Sequence, residues 1–153
     1  MTSLKWRLVT QRRSLLKLED KLTLHMQTLI TNGIRISVES FYQPAHSEPH
    51  RQRYLHVYNI RIENRNDFPV KLMARRWVIT ESNGGSKLIE GDGVIGKQPS
   101  IDPGNFHAYS SYCILSTEIG KMSGTYVMVR EDTGEELEVR IPHFVLVIPS
   151  KLN

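Results

Sequence analysis

From residue 34 onward, apolar and polar positions alternate along most of the chain. Ile34, Ile36 and Val38 alternate with Arg35, Ser37 and Glu39, and Tyr58, Ile60 and Ile62 alternate with Asn59, Arg61 and Glu63. This period of two predicts half-buried strands, the first starting at Ile34 and the second running from about Tyr54 to Glu63. Between them, residues 43–53 read as a polar loop with Pro44 and Pro49. The run from Val70 to Thr80 has apolar residues at both parities: Val70, Leu72 and Val78 against Met73, Trp77 and Ile79. A strand covered on both faces has this composition, so a central position in a sheet is expected. Ser82-Asn83-Gly84-Gly85 is a hairpin signal, and a short strand, Lys87 to Glu90, follows it. Asp102-Pro103-Gly104 is a turn before a strand from about Asn105 to Cys113. Gly120 to Gly124 reads as a loop, and Tyr126 to Glu131 as a strand. In the last strand the apolar set shifts from Leu137, Val139 and Ile141 to Phe144, Leu146 and Ile148. The shift falls at Pro142-His143 and predicts a β-bulge, which tolerates proline. About seven strands at this turn spacing predict an all-β fold, a two-sheet antiparallel β-sandwich.

Residues 1–30 follow a different period. Leu4, Leu8, Leu15, Leu18, Leu22 and Leu29 recur at spacings of three and four or their multiples, with no glycine or proline between them. The pattern predicts an amphipathic N-terminal α-helical extension. The expected organisation is thus a basic helical extension over 1–30 and a sandwich domain over 31–153. The helix has three roles open to it: packing on its own domain, docking on a partner or on itself, or organelle targeting. The first 18 residues are basic, contain Ser3 and Ser14 and lack acidic groups, which suits a targeting peptide. Arg12 and Arg13 interrupt the place where a secretory signal would have its apolar core. A cytoplasmic location is expected, or the mitochondrial matrix under the targeting reading.

Charge sharpens this division. The chain of 153 residues carries a net +4, and residues 1–30, with six basic and two acidic groups, account for all of it. The body is formally neutral. Clustered positive charge is what nucleic-acid affinity requires, so the extension is the one segment suited to RNA contact. A protein partner is expected for the body, and the oligomeric state stays open. A single cysteine, Cys113, excludes an intrachain disulfide. No apolar run approaches the ~18 residues of a membrane span.

Several segments together resemble the ApaG family. They are Thr31 to Arg35, Arg75-Arg76-Trp77-Val78-Ile79-Thr80, the glycine loop Gly91 to Pro99, and Pro103-Gly104 with Tyr109 and Cys113. The run Gly120, Met122, Gly124, Tyr126, Met128 and the closing Ile141-Pro142 with Phe144, Leu146 and Pro149 complete the match. The resemblance implies a sandwich like that of fibronectin type III or immunoglobulin domains. It also implies a link to cobalt resistance and magnesium efflux in bacterial members, and a protein-binding role in eukaryotic members found in F-box proteins and a polymerase-interacting protein. Two positions depart from the family: Lys97 stands where an acidic residue is common, and Arg76 where histidine is common. Lys97 weakens a metal role for the loop and favours an anionic partner.

The candidate chemistry is sparse. Gly91-x-Gly93-x-x-Gly96 has the spacing of a dinucleotide fingerprint, but Pro99 and a strand follow where that fingerprint needs a helix. A phosphate nest formed by backbone N–H groups, assisted by Lys97, is the weaker version. The blander alternative is that each glycine serves a positive φ or a close approach. His46, Glu48 and His50 are metal-type ligands in the polar loop, but Pro49 argues against the helix that would put both histidines on one face. Cys113 and His107 lie six apart on one strand, about 20 Å from each other, too far to act as nucleophile and base; Cys113 reads as a small buried hydrophobe. Arg75 and Arg76 flank Trp77 and form the best recognition patch, since arginine and tryptophan are enriched at binding hot spots. Trp77 also suits the core of the sandwich. No catalytic constellation and no cofactor site is expected, and the leading expectation is a non-enzymatic interaction module built around Gly91, Gly93, Gly96 and Lys97, with Arg75 and Arg76 beside it. The alternatives are a phosphate, nucleotide or divalent-metal binder, or an accessory subunit of a ribonucleoprotein anchored by its basic helix.

Overall fold

The computed structural model describes residues 26–151. Nine strands follow in order: β1 Met26–Thr31, β2 Ile34–Tyr42, β3 Tyr54–Asn64, β4 Val70–Glu81, β5 Ser86–Asp92, β6 Ser100–Ile101, β7 Phe106–Leu115, β8 Ile119–Arg130 and β9 Glu136–Val147. All pairings are antiparallel. One sheet has the order β1-β2-β3-β7. The other runs β5-β4-β8-β9, with β6 paired to β4 beyond the end of β5. The fold is an all-β sandwich, with the expected strands in place and β4 central.

The core lies between the sheets and takes alternate residues from each strand. Ile34, Ile36 and Val38 meet Ile60 and Ile62 on one side, and Leu72, Trp77, Tyr126, Met128 and Val139 on the other, all buried. Trp77 is the core tryptophan. Its ring centroid lies 5.6 Å from that of Tyr58 and 6.0 Å from that of Phe144. Tyr109 of one sheet and Tyr126 of the other share a hydrogen bond between their hydroxyls across the core. Burial pushes the pKa of both phenols up, so both stay protonated.

Three sequence expectations need correction. The helix predicted over 1–30 does not hold for residues 26–30, because Met26–Thr31 is strand β1; residues 1–25 lie outside the described residues. The reason is the turn that follows. Asn32 and Gly33 both have positive φ, 50° and 73°, the signature of a type I′ turn. It folds β1 back on β2 in register from Met26↔Glu39 to Thr31↔Ile34. Long-range bonds then fix the hairpin on β9: Asn32 Nδ2 donates to the Glu138 carbonyl at 2.8 Å, and Arg140 N–H donates to Thr31 Oγ1 at 3.3 Å. The domain therefore begins at least five residues earlier than the expected boundary at 31. Second, Gly120 to Gly124 is not a loop but part of β8. Gly124 is needed there because a Cβ would fall 2.3 Å from the Arg76 carbonyl. Third, the described residues form nine strands, not about seven; β1 and the two-residue β6 make the difference. The bulge at Pro142-His143 is present: Met122 faces Phe144 and Gly124 faces Ile141, so two residues of β9 oppose Ser123 alone.

Candidate functional site

The glycine segment sits where β4 exchanges partners. β5 pairs with Ala74 to Thr80, and β6 pairs with Val70 and Lys71. Between these stretches β4 bulges at Met73, where its register against β8 shifts. The chain from Gly93 to Pro99 detours around this bulge and is sewn to it. The Met73 carbonyl accepts the Gly93 N–H at 2.8 Å and Gln98 Nε2 at 3.0 Å, and Leu72 N–H donates to the Pro99 carbonyl at 3.0 Å. Gly91 and Asp92 belong to β5 rather than to the loop.

Arg75 braces the loop from below. It shares the inward parity of Trp77, and its Nη1 donates to the carbonyls of Asp92 and Gly93, both at 2.9 Å. Gly91 leaves room for this guanidinium, since a Cβ there would stand 2.9 Å from Nη1. Gly93 has φ +56°, and a Cβ there would meet the Lys97 carbonyl at 2.0 Å. Two of the three glycines are thus explained by close packing, and the third by the turn.

That turn is the unusual feature. Val94 N–H donates to the Lys97 carbonyl at 2.8 Å, and Lys97 N–H to the Val94 carbonyl at 3.0 Å. The two residues between have positive φ, Ile95 at 49° and Gly96 at 70°. Such a two-residue turn favours asparagine or aspartate before glycine. A β-branched residue in left-handed backbone is an outlier that costs on the order of 1–2 kcal/mol. Val94, beside it, is buried in the core, whereas Ile95 is 59% exposed. Leu88 and Ile89 on the approaching strand β5 are exposed as well. The loop is anchored inward by Val94 and Arg75 and presents Ile95 outward, with the exposed Lys97 following the turn.

The structure separates the sequence-derived candidates. Gly91, Gly93, Gly96 and Lys97 do come together with Arg75. Arg76 points to the opposite face, is exposed and pairs with Glu90 at 3.3 Å. A phosphate nest has little to draw on, because the N–H groups of Gly93, Val94 and Lys97 are spent within the fold. His46 and His50 lie in two separate 3-10 turns, Pro44–His46 and Pro49–Arg51, and the Glu48 carboxylate lies near Arg51 and Arg53 at 3.7 and 3.8 Å. Among the described residues, no three histidine, cysteine, aspartate or glutamate side chains cluster closely enough to hold a metal ion. Cys113 is buried, and burial pushes its thiol pKa up to about 11. No helix among the described residues is long and apolar enough to cross a membrane.

Two features were missed by sequence reasoning. The exposed left-handed Ile95 has no local signal, because a valine-isoleucine pair before glycine looks like the end of a strand. The buried His56, 1% exposed, is flanked by Tyr42 at 5.3 Å between ring centroids, and its Nε2 has no hydrogen-bond partner. Burial holds its pKa down at about 4, so the ring is neutral.

Comparison with known proteins agrees with the fold. The ApaG domain profile matches residues 44–130. Protein ApaG of Anaeromyxobacter sp. (strain K) is 44% identical over 128 residues, which is 84% of this chain and 100% of that protein. Protein ApaG of Brucella abortus (strain S19) is 43% identical over 126 residues, covering 82% of this chain and 96% of the relative. Among solved structures, the putative ApaA protein from Bordetella pertussis superposes with a TM-score of 0.73 at 39% identity, covering 76% of this chain and 94% of that one.

Proposed function

This chain belongs to the ApaG domain family, and we propose that it works as a non-enzymatic interaction module that binds a protein partner through the loop Gly93 to Pro99. The observation that carries the reading is Ile95. A large apolar side chain is held out at 59% exposure by a backbone conformation that disfavours it. A folded protein keeps such strain where the surroundings over-determine it, and these places concentrate at functional sites. Arg75, Gln98 and the buried Val94 supply the over-determination. The loop is therefore preorganised, and partner binding incurs little ordering cost. Lys97, two residues on, supplies a positive charge beside the apolar tip and suits a partner with an acidic rim around an apolar pocket.

A phosphate or metal ligand has less support here, because the N–H groups of Gly93, Val94 and Lys97 bond within the fold and Arg75 takes the carbonyls of Asp92 and Gly93. On this reading, the tie to cobalt resistance and magnesium efflux that the family resemblance implies runs through a protein partner rather than through an ion held by this chain.

The test compares the wild type with Ile95→Asn and Lys97→Glu in quantitative crosslinking from native lysate. Asparagine suits the turn, so the fold is retained while the apolar tip is lost. The expected result is at least a tenfold loss of one crosslinked partner with Ile95→Asn. Unchanged crosslinks with Ile95→Asn, together with a thermal shift on adding pyrophosphate or cobalt, would replace this reading with a ligand-binding one.

A further inference from the structure

The two sheets end differently. Strands β5 and β7 each lie at a sheet edge. Edge strands present unpaired N–H and C=O groups and are commonly protected by charge, proline, glycine or a bulge. Strand β5 is short and carries Lys87, Glu90, Gly91 and Asp92. Strand β7 has none of these protections. Its ten residues, Phe106-His107-Ala108-Tyr109-Ser110-Ser111-Tyr112-Cys113-Ile114-Leu115, include no lysine, arginine, aspartate, glutamate, glycine or proline. It pairs with β3 in unbroken register from Tyr54↔Leu115 to Glu63↔Phe106.

The backbone bonds show which groups face outward. Gln43 N–H donates to the Leu55 carbonyl, so Leu55 faces β2, and Asn64 N–H donates to the Asn105 carbonyl, so Asn64 faces β7. Alternate residues of a strand face alternate neighbours. Tyr54, His56, Tyr58, Ile60 and Ile62 therefore face β7, and their partners there are Leu115, Cys113, Ser111, Tyr109 and His107. The other set, Phe106, Ala108, Ser110, Tyr112 and Ile114, turns its N–H and C=O groups to the open edge. Among the described residues no other strand pairs with β7. The same set directs its side chains to the outer face, where Phe106 is 54% and Tyr112 65% exposed.

We infer that this edge is a dimerisation surface, on which β7 of a second copy of this chain adds in antiparallel register and joins the two four-stranded sheets into one. The sequence of β7 is complementary to itself. With the twofold axis beside Tyr109, Phe106 faces Tyr112 of the other copy, Ala108 faces its Ser110, and both relations are repeated by symmetry. Each of these pairs exchanges N–H···O=C bonds through the groups left open. The small residues meet at the centre, and an aromatic pair closes each end, an arrangement that stabilises cross-strand contacts. Arg61 already lies over the Phe106 ring, with its guanidinium carbon 3.8 Å from the centroid, and caps that pair. No like charges face each other within the strand. An unrelated peptide would gain the backbone bonds but not the matched aromatic pairs.

Sedimentation equilibrium of the full chain over a wide concentration range tests this. The weight-average mass of the wild type is expected to rise with concentration toward twice the 17.6 kDa of the chain. Ala108→Pro removes an edge donor without touching the β3 ladder, and Ala108→Lys sets two ammonium groups close together across the axis. Each variant is expected to stay at the chain mass while keeping its unfolding transition. Should the proline variant fail to fold, the lysine variant decides. A wild type that stays monomeric throughout, or a dimer that the folded lysine variant retains, would overturn the proposal.

Discussion

Arg75 Nη1 lies 2.9 Å from the carbonyl oxygen of Gly93 and 2.9 Å from that of Asp92. One guanidinium nitrogen thus holds both ends of the step from β5 into the glycine loop. The pair links a core strand to the exposed turn, since Arg75 stands two residues before the core Trp77 and Gly93 directly precedes the buried Val94.

Removing that brace is expected to loosen the loop before the domain. Arg75→Leu should cost about 1–3 kcal/mol, the usual range for losing hydrogen bonds from a charged donor. Hydrogen exchange should quicken at Gly93, Val94 and Lys97, while the amides of β2 and β3 change only by the global loss. Uniform acceleration across all strands would mean that Arg75 supports the core rather than the loop.

The glycines should separate by cause. Gly96→Ala meets no atom within 4 Å and bears only the left-handed backbone cost of about 1–2 kcal/mol. Gly93→Ala adds a clash with the Lys97 carbonyl, 2.0 Å from the new Cβ, and should cost about 3 kcal/mol or more. Urea unfolding of the two variants checks the order, and equal losses would show that the loop can shift to admit a side chain at Gly93.

Ile95 runs against the usual direction. Ile95→Gly relieves the left-handed strain and should leave the folded state as stable as the wild type or more so, by up to about 1 kcal/mol. The unfolded chain's gain in freedom offsets part of this relief. Partner crosslinking should fall in the same variant. A variant both less stable and still competent to bind would mark Ile95 as a packing residue.

Tyr109 and Tyr126 form a closed polar pair inside the sandwich. Tyr126→Phe leaves the Tyr109 hydroxyl unpartnered and should cost about 1–3 kcal/mol. Removing both hydroxyls should recover much of that loss, giving a non-additive double-mutant cycle. Strict additivity of the two single changes would show that the hydroxyls do not depend on each other.

His56 makes stability depend on acid. Its folded pKa is about 4, below the ordinary 6.5, because burial penalises the charged ring. Between these values the unfolded state binds more protons, so stability is full above pH 6.5 and falls as the pH drops toward 4. The loss is at most about 3.5 kcal/mol, from about 1.4 kcal/mol per pKa unit. His56→Phe should flatten that slope without a penalty at neutral pH, since the Nε2 it removes bonds to nothing. Denaturant unfolding at pH 7 and pH 4.5 decides, and an unchanged slope in the variant would assign the acid sensitivity to other groups.

Strands β2, β3, β4, β5, β7 and β9, the second half of β8, the core role of Trp77 and the bulge at Pro142-His143 were legible along the chain. Each of these is written in short-range alternation, where a residue's parity decides whether it meets the core or solvent, and a change of parity marks an inserted residue. Residues 26–30 were misread because leucine spacing over 1–30 satisfies a helix locally, while the choice of strand rests on the Asn32-Gly33 turn and on bonds to Glu138 and Arg140, more than a hundred residues away. The loop shows the same limit. Its glycines were visible as letters, but whether they cradle a ligand or admit Arg75 depends on where the Met73 bulge places the carbonyls. The exposure of Ile95, the unpartnered His56 and the unprotected edge of β7 all concern which groups lack a neighbour. Only tertiary structure decides that, because a missing partner is a property of the packed sheets and not of any local stretch of chain.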